Sequence, residues 1–106
     1  MSFTLYDAFV PTTRQLLGAL PGLVAKAEQH VANSDCTDGD MMEARLAEDM
    51  WTLPWHIRSC WAHSGYALDQ LAGGAYTPDF TQIPDSWDVM RAMIAEAEDR
   101  MAKATP

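Results

Sequence analysis

The sequence predicts an all-α fold, a bundle of three main helices at about 5–32, 50–72 and 86–104 within one domain of 106 residues. Three observations predict it. Apolar residues recur at intervals of three and four along each segment, the period of a helix that buries one face. No segment alternates apolar and polar residues as a half-buried strand does. Glycines, prolines and capping residues fall between the segments, where helices start and stop.

The first helix carries Leu5, Phe9, Leu16, Leu20, Leu23, Ala27 and Val31 on its expected buried stripe. Pro11 lies near enough to the start to be tolerated. Pro21-Gly22 lies deeper and predicts a bend, not an end, because the apolar phase continues past it. The polar run from Asn33 to Asp40 reads as a loop, followed by a helical turn at Met41-Met42-Glu43-Ala44. The second helix begins between Asp49 and Pro54, with Leu53, Ile57, Cys60, Ser64, Ala67, Leu68 and Leu71 on one stripe. Gly73-Gly74 stops it, since glycine accepts the left-handed conformation common at helix C-termini.

Ala75 to Pro84 holds two prolines and no period, and reads as a crossing loop. Asp85 or Ser86 caps the third helix, and Asp88 is favourable in its first turn. Trp87, Met90, Ile94, Ala97, Met101 and Ala104 then form the seam of a helix docking along a bundle. Three such helices leave a face that a fourth helix or a second copy of the chain would cover.

Composition removes several functional classes. The net charge of −8 and isoelectric point near 4.5 oppose phosphate neutralisation, which excludes nucleic acid as a partner. No apolar run is long enough for a membrane span, and the N-terminus lacks the basic region of a signal peptide. Cys36 stands in a polar stretch and Cys60 in an apolar one, with no CxxC spacing, so both are expected to be free thiols. A cytoplasmic location follows from these readings.

The second helix concentrates the unusual side chains, from Trp51 through Trp55, His56, Arg58, Cys60 and Trp61 to His63. Steps of 100° place Cys60 in the buried stripe with His56 and His63 on its flank. One reading is a divalent metal site in a bundle core, with zinc or nickel held by His56 and Cys60 and with His63 and Trp61 lining the pocket. His56 and His63 are about 10.5 Å apart along the axis, too far to share one ion on a straight helix, whereas His56 with Cys60, or Cys60 with His63, can share one. A third ligand must then come from elsewhere: His30, Glu28, Glu43, Asp49 or another chain. The other reading leaves the histidines as hydrogen-bonded flank residues and Cys60 as a small core residue.

Other chemistry has less support. His30 suits a helix C-terminus electrostatically. Ser59 and Ser64 lack a nucleophile elbow, and Glu96, Glu98 and Asp99 read as a solvated face. Trp55 points away from Leu53, Ile57 and Cys60, which marks it for a dimer interface. The alternative is that the crossing loop folds over it.

The runs Leu5-Tyr6-Asp7-Ala8-Phe9-Val10-Pro11, Ala44-Arg45-Leu46-Ala47-Glu48-Asp49-Met50 and Leu71-Ala72-Gly73 resemble an uncharacterised domain-of-unknown-function branch of the DinB-like superfamily. The resemblance spans essentially the whole chain. It implies a DinB-like up-down helical bundle, a superfamily of four-helix folds in which many members are metal-dependent and some act in thiol-linked transfer. It also implies that His56, before Ile57, stands where the superfamily places a metal ligand. The superfamily's fourth helix has no counterpart after Pro106, so dimerisation is expected to complete the bundle. Two functions remain: a non-catalytic homodimeric or ligand-binding domain whose small-molecule ligand is unknown, and a metal-dependent enzyme using His56.

Overall fold

Short-range capping chemistry starts the helices in the computed structural model, which describes residues 2–106. The Thr4 hydroxyl accepts from the Asp7 N–H at 3.2 Å, and the Asp7 carboxylate accepts from the Thr4 N–H at 3.0 Å. That reciprocal pair opens α1 (Leu5–Ala32) by satisfying two backbone donors a helix start would leave free. α1 runs unbroken through Pro11 and Pro21. The same box recurs between Thr37 and Asp40, with both bonds at 3.0 Å, and opens α2 (Asp38–Glu43). The polar run expected to be loop up to Asp40 therefore turns helical at Asp38. Composition hid a Thr-x-x-Asp box inside it.

The second main helix differs from the single segment expected at 50–72. It is two helices, α3 (Leu53–Ala62) and α4 (Gly65–Leu71). Ser64 interrupts them with φ −125° and ψ −100°, and its hydroxyl donates to the Cys60 carbonyl at 2.5 Å. A serine side chain that bonds back to the preceding turn competes with the helical ladder there. The last helix, α5 (Trp87–Ala102), is capped by Ser86, whose hydroxyl accepts from the Val89 N–H at 3.2 Å.

α5 is the spine. Its residues Trp87, Met90, Ile94, Ala97 and Met101 are all buried, as the sequence spacing predicts. Val24 and Ile57 pack at the start of α5 beside Met90 and Ile94. Val10, Leu17 and Trp61 pack further along beside Ala97 and Met101. α1 is thus antiparallel to α5, whereas α3 and α4 run parallel to it. The crossing loop carries the chain back along α3 between these two parallel helices.

The buried stripe of α1 corrects the expected one in part, since Phe9, Leu20, Ala27 and Val31 do pack half-buried against the core. Val10, Leu17 and Val24 are buried, while Leu5, Leu16 and Leu23 are exposed at 75%, 66% and 50%. Leu17 and Leu16 lie about 100° apart around the axis, so two apolar stripes run side by side. α5 covers only the first.

The molecule is elongated, 54 × 24 × 23 Å, with a radius of gyration of 15.4 Å. A compact chain of this length would have roughly 12.9 Å. Its accessible surface of 6999 Å² exceeds the roughly 5,900 Å² of a compact monomer of this mass. The backbones of α1 and the α3–α4 pair each lie close to α5 and not to one another; their side chains meet in the shared core, and a hollow remains at either end of the seam between them. No helix among the described residues is long and apolar enough to cross a membrane.

Candidate functional site

Two features are built on this frame: a fastened crossing loop on one side of α3, and the open seam between α1 and α3–α4. The loop is fastened at two points. The Arg58 Nε donates to the Asp79 carbonyl at 2.7 Å, and Nη2 lies 3.3 Å from the Asp79 carboxylate. The guanidinium sits 3.9 Å over the Trp61 ring, whose Nε1 donates to Glu96 at 3.3 Å. The Thr81 N–H and hydroxyl donate to the Asp79 carboxylate at 2.9 and 2.6 Å. Those two bonds, with Arg58 adding to them, hold the Asp79 carboxyl below its ordinary value. Arg58 is buried, so it serves as a paired and stacked cation that ties residue 79 to α3.

Tyr76 makes the second fastening. Its hydroxyl donates to the Ala62 carbonyl at 2.7 Å and lies 3.0 Å from His63 Nδ1. A phenol has one proton and the carbonyl takes it, so the contact with His63 is one in which Nδ1–H donates to the Tyr76 oxygen. Burial and the neighbouring Tyr66 push the Tyr76 hydroxyl up, which keeps the donor in place. Phe80 then stacks on Trp55 with ring centroids 5.6 Å apart and planes at 18°, and Trp51 lies 5.5 Å away.

These bonds locate the residues singled out by sequence. Trp55, marked for an interface, is half-buried beneath Phe80. Trp61 is buried under Arg58 and walls a hollow of about 350 Å³ with Asp79, Thr81 and Glu96. His63 is held by Tyr76. His56 opens instead into the seam, where it lines a hollow with Leu23 and Leu53. Cys60 lies one turn beyond His56 and is half-buried; burial pushes its thiol up, away from the reactive thiolate.

Zinc or nickel would need His56 and Cys60 plus further donors. Among the described residues, no group of three or more His, Cys, Asp or Glu side chains is brought together for an ion. One chain by itself therefore does not assemble a closed ligand set. Ser64 is buried and its hydroxyl is spent on the Cys60 carbonyl.

The seam has a hollow at each end. One, of about 430 Å³, lies among Leu5, Phe9, Leu68, Leu71 and Ala104, and no charged side chain lines it. The other, of about 460 Å³, lies among Leu23, Met41, Trp51 and Leu53, with Lys26, Arg45 and His56 at its edge. The Arg58–Asp79 and Tyr76–His63 pairs escaped the sequence reading because they join a helix to a loop without period. The one available signal was Asp79 two residues before Thr81, the spacing of an Asx turn.

Fold and site together define a small all-helical bundle protein with an unfilled apolar seam. The chain belongs to a family described as a domain of unknown function, DUF1993, whose family model matches residues 5–106. No curated protein and no solved structure matches it.

Proposed function

We propose that this chain is a DinB-like half-bundle, a non-catalytic module completed by a second copy of itself docked on the seam between α1 and α3–α4. The observation that carries the reading is the second apolar stripe of α1. Leu5 stands exposed at a hollow walled by Leu68 and Leu71 and lined by no charged side chain, and Leu16, also exposed, continues the same stripe along α1. Exposed apolar area of that extent, rimmed by polar residues, is the mark of an association surface.

The areas agree in size. The chain's surface exceeds that of a compact monomer by roughly 1,100 Å², and a stable interface buries about 800 Å² on each partner. Charge agrees as well. Two copies at −8 each repel, and a face whose hollows are lined by no Asp or Glu side chain brings them together at the lowest electrostatic cost. A two-fold arrangement would use the same patch on both copies.

Size-exclusion chromatography with light scattering tests it. The wild-type chain is expected to elute as a dimer, and Leu16→Asp as a monomer with the same far-ultraviolet circular dichroism. Leu16 is exposed in the single chain, so the substitution costs the monomer little. A monomeric wild type at high protein concentration, or a Leu16→Asp variant that stays dimeric, contradicts the proposal.

A further inference from the structure

The opposite end of the seam carries a different chemistry, which does not rest on the dimer. The chain has 7 Lys and Arg residues against 15 Asp and Glu. Arg58, Arg91, Arg100 and Lys103 are paired with carboxylates, Arg91 with both Asp88 and Glu28. Among the described residues, Arg14, Lys26 and Arg45 have no such partner. Two of these three, Lys26 and Arg45, line one hollow.

That hollow is the apolar one of about 460 Å³ whose floor is Leu23, Ala27, Met41, Trp51 and Leu53. Its size falls in the range of small-molecule sites, roughly 300–1,000 Å³. In a chain this acidic, no carboxylate lines it. His56 lines the same edge. The Arg45 Nη1 donates to the Glu48 carbonyl at 3.4 Å, and the guanidinium keeps further donors for a ligand. An apolar floor with two unpaired cations at its edge matches one kind of molecule.

We propose that the hollow between α1, α2 and the start of α3 binds an amphiphilic monoanion, an acyl or aryl carboxylate. The apolar body lies against Leu23, Met41 and Trp51. The carboxylate lies between Lys26 and Arg45. A carboxylate of this kind could arrive free in solution or as part of an anionic lipid surface. The net charge of −8 opposes docking on an anionic surface, so the free molecule is the ligand assigned.

Isothermal titration calorimetry with decanoate and with decanol, which share a tail and differ in charge, tests the assignment. Decanoate is expected to bind one site per chain, about tenfold more tightly than decanol, since each exposed ion pair contributes up to about fivefold. The double variant Lys26→Glu, Arg45→Glu is expected to bring decanoate to the decanol level and leave decanol binding unchanged. Unchanged decanol binding shows that the hollow has survived the substitutions. Equal affinity of the two probes for the wild type, or an unaffected double variant, overturns the proposal. So does sedimentation with phosphatidylglycerol vesicles in the absence of decanoate binding, which would make the site a lipid-surface contact.

Discussion

Gly65 stands where α4 passes over α5, and an added methyl group there has nowhere to go. A Cβ built on Gly65 would lie 2.9 Å from the Ala97 Cα and 3.1 Å from the Ala97 carbonyl oxygen. Carbon atoms in good contact sit about 3.5–4.0 Å apart, so Gly65→Ala must push α4 off α5 by roughly half an ångström. Both obstructing atoms are backbone, and no change of rotamer relieves them. Overpacking of this kind costs about 1–3 kcal/mol. The better helix propensity of alanine returns less than about 1 kcal/mol at a first helical position.

The net loss is about 1–2 kcal/mol, which lowers the midpoint of thermal unfolding by roughly 5–15 °C in a domain of this size. The assay is far-ultraviolet circular dichroism during heating, with protein concentration held fixed because association shifts the midpoint. Gly18→Ala is the control, since a Cβ there meets nothing within 4 Å, and it is expected to stabilise by about 0.5–1 kcal/mol. A Gly65→Ala variant as stable as the wild type would refute the close packing of α4 on α5. The reasoning matters for function because α4 carries Leu68 and Leu71 to the seam.

Three further outcomes follow from the fastened loop and the caps. Tyr76→Phe removes the donor to the Ala62 carbonyl and the acceptor for His63; urea unfolding is expected to show a loss of about 1 kcal/mol, and no loss would mean the loop is held elsewhere. Asp79 has a folded-state value below the ordinary 3.8, so its contribution is present above that value and fades as pH falls through the lower folded one. Tryptophan emission from Trp51 and Trp55 beside Phe80 should change in that acid window, and Asp79→Asn should flatten the change. Ser86→Ala removes the hydroxyl that accepts from Val89 and is expected to cost about 1 kcal/mol in the same urea assay.

How much was legible in the sequence varied with what surrounds each helix. α5 was read correctly from Trp87 to Met101 because its neighbours all bury one continuous stripe. α1 offered two apolar stripes, Val10-Leu17-Val24 and Leu5-Leu16-Leu23, and periodicity cannot say which one a single neighbour covers. The same ambiguity exposed the seam: of the stripe read as core, Leu5, Leu16 and Leu23 are left open, while Phe9, Leu20, Ala27 and Val31 pack half-buried against the core. The break at Ser64 depends on a side chain bonding back to Cys60, a local choice that leaves the apolar spacing untouched. The sequence placed His56 and His63 on one flank of a single helix. Tyr76, reaching in from the crossing loop, gives His63 a different environment, and no helical period encodes that partner.

Sedimentation equilibrium of the unmodified chain, across a wide range of protein concentration, tests the half-bundle account most directly. The account predicts a single species at twice the chain mass of 11.8 kDa, shifting towards one chain mass only on dilution. A species that stays at one chain mass throughout would mean that the seam between α1 and α3–α4 is not closed by a second copy.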